Sequence, residues 1–207
     1  MSRKAFSREP ESRRAALIEA TLDAVAARGL QGATVRDIAE RAGVTNGLIR
    51  HYFSGKEEMI QAAYRHTMTT MTDATRAAIT DEGRSPGARL RAFIQANLTP
   101  PVVDPRTLSL WASFISTIHA DPAMAAIHRE AYLDFRHTLE ALIREVCAAE
   151  GRTLDPAVSE GFAIAINGVL DGLWVEGCLA GDLFDPDQLI EAATRSVEAI
   201  LDLTLND

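Results

Sequence analysis

Cysteine is scarce in this sequence, with Cys147 and Cys178 as its two thiols. They lie in separate segments, which gives neither a disulfide framework nor a metal-finger spacing, and a reducing cytoplasm fits. No run approaches the roughly eighteen apolar residues that a membrane helix needs. The N-terminal MSRKAFSREPESRR has no apolar centre, so no secretory signal is expected. β-Branched alternating runs are missing, so no strand is expected, and no phosphate-binding glycine loop can follow one. His51, His66, His119, His128 and His137 form no i,i+4 metal pair. The stretch Gly83-Arg-Ser-Pro-Gly87 matches a nucleophile elbow, but that motif needs a strand-to-helix turn, and Pro86 makes Ser85 a helix cap instead. No metal, cofactor or catalytic set is expected.

What remains is an ordinary globular composition, 47% hydrophobic and 24% charged, with the charge unevenly placed. The net charge is −8, yet residues 1–56 hold ten Lys and Arg against six acids, a net +4 that leaves −12 for the rest. A basic module that meets a polyanion, joined to an acidic body, accounts for this asymmetry.

Asp-Pro occurs at 104–105, 121–122, 155–156 and 185–186, each time ahead of an apolar-periodic stretch, and Ser85-Pro86 repeats the theme. Asp or Ser caps a helix start and Pro suits its first position. These starts predict helices near 86–98, 105–119, 122–149, 156–180 and 186–204. Upstream, the pattern predicts helices over 11–28, closed by Gly29, over 35–42, over 45–53, and from Lys56 or Glu57 to about Glu82. The fold is therefore all-α, with nine helices. Three parts are expected: a mobile basic stretch 1–10, a small helical module 11–56 and a larger helical body 57–207.

The two short helices meet at Gly43, which permits the sharp turn of a helix-turn-helix. Ile49 and Phe53 can pack inward with Val44 and Ile38. Thr45, Asn46, Gly47, Arg50 and His51 then face outward on a helix that can enter the major groove. Gly47 lets the backbone approach DNA closely. Thr34 and Thr45 sit where helix N-termini offer donors to phosphates. Tyr52 and Lys56 can reach the duplex backbone. The partner expected for this module is double-stranded DNA.

The stretch TVRDIAERAGVTNGLIRHYFSGKEEMI resembles the signature of the TetR family of transcriptional regulators, with its Ala-Gly-Val turn and His-Tyr-Phe helix end. Arg50 departs from the pattern, since an aromatic is common there, and a charged contact is expected in its place. The resemblance implies a homodimer on a palindromic operator, a ligand pocket in the body, and repression relieved by the ligand. LWASFISTIHADPAM, NGVLDGLW and the GDLFDP loop resemble the BetI branch of that family, which is associated with glycine betaine synthesis genes and response to choline.

Two features of the body bear on these implications. Gly161, Ala165, Gly168 and Gly172 form one helical stripe, and glycines weaken a helix unless close packing compensates. That packing is either within the chain or against a second copy. Trp111 and Phe114 share one helix face, Asp171 and Trp174 another, and Tyr132 comes from a third helix. A carboxylate near aromatic faces suits choline or another organic cation. Plain core packing and an uncharged hydrophobic ligand are the alternatives. A small all-α enzyme using Asp171 as a base, or a protein-binding adaptor, remains as a rival class without a recognisable partner residue.

Overall fold

The computed structural model describes residues 5–81, 83–185 and 187–206. Among them the ordered elements are nine α-helices and one 3-10 turn, without a strand. The helices are α1 Ala5–Gly32, α2 Val35–Ala42, α3 Asn46–Tyr52, α4 Lys56–Ala78, α5 Pro86–Asn97, α6 Pro105–Ile115, α7 Pro122–Ala149, α8 Pro156–Ala180 and α9 Gln188–Leu201. The 3-10 turn is Gly181–Leu183.

Local chemistry explains most of the boundaries. The Asp104 carboxylate accepts from Thr107 N at 2.7 Å, Asp121 from Ala123 N at 2.9 Å, and Asp155 from Ala157 N at 2.9 Å. Ser85 Oγ accepts from Ala88 N at 3.0 Å, as a cap rather than a nucleophile. The last helix departs from expectation. Pro186 lies outside the described residues, and α9 starts at Gln188 behind Asp187, which forms no side-chain cap. Glu82, the expected end of α4, also lies outside them, and the helix stops at Ala78.

Of the stretch expected to be mobile, residues 1–4 lie outside the description and helix α1 already runs from Ala5. Strong helix formers such as Ala, Glu and Arg carry it back past Pro10. The helical path breaks at Gly29, where its end is expected, with φ 68° and ψ 173°, and a short further turn carries the span on to Gly32.

Packing divides the chain into two compact units, one of Met1–Met68 with Ser109–His128, the other of Thr69–Leu108 with Arg129–Asp207. The first unit buries Leu17, Ile38, Ile49, Phe53, Met59 and Tyr64 together with Leu110, Phe114, Met124 and Ile127. The helix-turn-helix core therefore recruits a segment from the middle of the sequence. In the second unit α5 packs on α8 and α9, burying Leu90, Phe93, Ile166 and Val197. Arg91 donates to the Leu205 carbonyl and Arg152 to that of Leu201, which clasps the last turns. Gly87 permits this closure, because a Cβ there would lie 2.5 Å from Asn206 O.

Helix α8 is more apolar than the reading above allowed. With the following turn it is long and apolar enough, by length and composition, to cross a membrane. Residues 161–178 carry charge only at Asp171 and Glu176. One face is buried through Ile166, Leu170 and Trp174, while Val158, Ile164, Leu179 and Leu183 lie exposed.

Candidate nucleic-acid interface and effector region

The first unit builds a helix-turn-helix from short-range bonds. Thr34 Oγ1 accepts from Asp37 N at 3.1 Å and starts α2. The Asp37 carboxylate does not complete a capping box. It accepts from Arg41 Nε at 3.1 Å and faces Arg28 Nη2 at 3.7 Å, tying α2 to the end of α1. Gly43, at φ 65°, ends α2 in the left-handed conformation that glycine adopts without strain. Thr45 Oγ1 accepts from Leu48 N at 3.3 Å and starts α3.

Helix α3 is held from beneath by Ile49 and Phe53, both buried, with the Arg14 guanidinium 5.1 Å above the Phe53 ring. Its outer side then carries Thr45, Asn46, Gly47, Arg50 and His51, all exposed. A Cβ on Gly47 would meet only Thr45 Oγ1, at 3.8 Å, so no packing within the chain calls for a glycine there. Tyr52 is half-buried against the core, edge-on to His51 at 5.1 Å. Lys56 Nζ donates to the Gln31 carbonyl at 3.4 Å. Beside it Ser54 N donates to Glu58 Oε2 at 2.6 Å, which holds the Glu58 carboxyl below its ordinary pKa and fixes the junction between α3 and α4.

Arg50 and Arg36 make no hydrogen bond or ion pair among the described residues. Arg36 is the residue that sequence reasoning passed over. It is an exposed cation two positions after the Thr34 cap, beside free helix N–H groups. This combination, an uncommitted cation at the first turn of α2, was the available signal.

The effector candidates divide between the two units. Trp111 and Phe114 fall in the first unit, and Tyr132, Asp171 and Trp174 in the second. Phe114 is fully buried and stacked on Tyr64 at 4.9 Å. Trp111 is half-buried. The Tyr132 ring already carries the Arg136 guanidinium at 5.5 Å. Trp174 is buried, and its indole N–H donates to the Val102 carbonyl at 2.8 Å. Asp171 lies one turn away, with more than a third of its surface open in the single chain. Surrounding protein nevertheless desolvates its carboxyl and pushes the pKa up, opposed by Asn167 Nδ2 donating at 2.8 Å.

The glycine stripe is the sharper result. Gly161, Ala165, Gly168 and Gly172 are all exposed, and a Cβ at any of the three glycines would meet nothing within 4 Å. Packing within the chain thus does not explain them. Among the described residues no group of three or more His, Cys, Asp or Glu could hold a metal ion.

Known proteins share both halves of this arrangement. A family profile described as bacterial regulatory proteins, tetR family, matches residues 17–63. A second, described as BetI-type transcriptional repressor, C-terminal, matches residues 86–202. The HTH-type transcriptional regulator BetI of Burkholderia thailandensis is 32% identical over 194 residues, covering 92% of this chain and 94% of its own. The crystal structure of a transcriptional regulator from Pseudomonas aeruginosa PAO1 superposes with a TM-score of 0.86 at 33% identity, covering 95% and 94% of the two chains. A regulator from Saccharomonospora viridis, solved in complex with choline, shares the fold with a TM-score of 0.75 at 21% identity, over 92% and 97% of the chains. The chain belongs to the TetR family, in its BetI-type branch, and is a DNA-binding transcriptional regulator.

Proposed function

We propose that this regulator is a cytoplasmic homodimeric repressor that reads a palindromic operator and releases it when an organic cation, choline in the first instance, binds the body. The observation that carries the DNA half is the outer side of α3, where Asn46, Gly47, Arg50 and His51 stand clear of a rigid apolar base. Asn46 and His51 address base edges, Arg50 a guanine edge or a phosphate. Thr34, Arg36, Thr45, Tyr52 and Lys56 take the phosphate backbone, which positions the protein without reading sequence.

The exposed stripe on α8 supports the dimer. Gly161, Ala165, Gly168 and Gly172 let another helix approach closely, and Val158, Ile164, Leu179 and Leu183 around them lose water when covered. Two copies related by a two-fold axis set two α3 helices a helical turn, or a multiple, apart on DNA. The effector half leans on the choline complex of the Saccharomonospora viridis protein and on Asp171 with Trp174 one turn away. Tyr132, in the same unit, joins this candidate set. A cation favours ionised Asp171, and its binding lowers DNA affinity only through unequal affinity for the two protein states.

Calorimetric titration of choline into the protein and into Asp171→Asn tests the effector. Saturable binding lost in the variant supports the cation site. Equal heats in both, or none, would discard Asp171 as its counter-ion and turn the search to uncharged hydrophobic ligands.

A further inference from the structure

The core of the first unit contains a polar contact between side chains far apart in sequence. The Tyr64 hydroxyl lies 2.8 Å from His128 Nδ1. Tyr64 is fully buried, with the Phe114 ring stacked at 4.9 Å, while the His128 ring lies end-on beyond the hydroxyl, its centre 6.4 Å away and its plane within 10° of the Tyr64 ring. Met59, Ala63, Met124 and Ile127 belong to the same buried core.

Burial pushes the Tyr64 phenol up to about 12 and His128 below its ordinary value, so both are neutral near pH 7. With the imidazole proton on Nε2, the phenol O–H donates to Nδ1.

Its place in the chain gives the contact meaning. Tyr64 is on α4, in the same core as Ile49 and Phe53 beneath the reading helix. His128 closes the segment Ser109–His128, recruited from mid-sequence. Apolar contacts between these elements tolerate sliding, whereas this part-buried hydrogen bond holds in one register, and losing it leaves the fully buried Tyr64 hydroxyl without its acceptor.

We propose that Tyr64 and His128 are positioning residues for DNA recognition, fixing α4 on the 109–128 segment in the one register that presents α3 correctly to base edges. The proposal rests on the assignment of α3 as the reading helix. Neither residue touches DNA, so the pair acts on discrimination between sequences, leaving attraction to phosphates intact.

The test uses the full-length protein, a duplex that the wild type selects from a random pool, and a shuffled duplex. Tyr64→Phe and His128→Leu should each weaken binding to the selected duplex at least tenfold and leave the shuffled one within twofold. His128→Asn sets its Oδ1 close to the lost Nδ1 and should restore most of the preference, even if its melting temperature stays below the wild type's. If Tyr64→Phe and His128→Leu keep the wild-type ratio of selected to shuffled affinity, the proposal is overturned. It is equally overturned if affinity for both duplexes falls in step with melting temperature, because a purely structural role does that. If the pool yields no selected sequence with wild type, the reading of α3 itself fails, and the proposal with it.

Discussion

Replacing Gly161, Gly168 and Gly172 together by alanine separates two accounts of α8 by the sign of the effect. In a single chain the three new methyls meet nothing within 4 Å. Each substitution should then remove the helix penalty of glycine, about 1 kcal/mol, and the triple variant should gain roughly 2–3 kcal/mol of stability. In a dimer packed on this stripe the methyls enter a close helix–helix contact. Overpacking costs about 1–3 kcal/mol per site, and two-fold symmetry doubles every insertion. The dimer dissociation constant should then rise by at least about a hundredfold, near 2.7 kcal/mol. Sedimentation equilibrium measures the dissociation constant, and thermal unfolding across a range of concentrations measures the fold. Gly87→Ala is the control, because its Cβ would meet Asn206 O at 2.5 Å whatever the oligomeric state. A triple variant that melts higher at every concentration with unchanged dimerisation would refute the reasoning.

Three further outcomes follow from the first unit. Thr34→Ala removes the acceptor for Asp37 N and should cost about 1 kcal/mol in chemical denaturation, the usual worth of an N-cap. Lys56→Ala should weaken selected and random DNA about equally and shrink the salt slope by about one, while Asn46→Ala or His51→Ala should cost about 1–3 kcal/mol on the selected site alone. The depressed His128 pKa makes stability pH-dependent. The unfolded chain takes up this proton first, near 6.5, so the contribution is complete above that pH and is lost as pH falls below it toward the folded value. Denaturation midpoints at pH 7.5 and 5.5 should differ more for wild type than for His128→Asn.

The parts of the fold legible in the sequence were those decided locally. Asp104, Asp121 and Asp155 each cap a helix because the carboxylate and the backbone it bonds are at most three residues apart. Gly43 and the Thr caps mark the helix-turn-helix for the same reason. Tertiary decisions were not legible. Leu110, Phe114, Met124 and Ile127 have the spacing of any buried helix face, and nothing in that spacing tells that they pack with residues 17–64. Likewise the glycine period announces one stripe without saying whether it faces the chain or the solvent. Phe114 as a ligand contact came from pairing it with Trp111 three residues earlier. Its stacking on Tyr64 depends on a helix some fifty positions upstream in the sequence.

The central claim is that the outer side of α3 reads DNA under control of the body. It is tested most directly by fluorescence anisotropy of labelled duplex from the region upstream of the chain's own gene, at two salt concentrations, with and without choline. The account predicts tight binding, a logarithmic salt slope of about −0.9 for each phosphate neutralised, and a clear loss of affinity when choline is added. Affinity no greater than for random DNA, insensitive to salt and to choline alike, would contradict it.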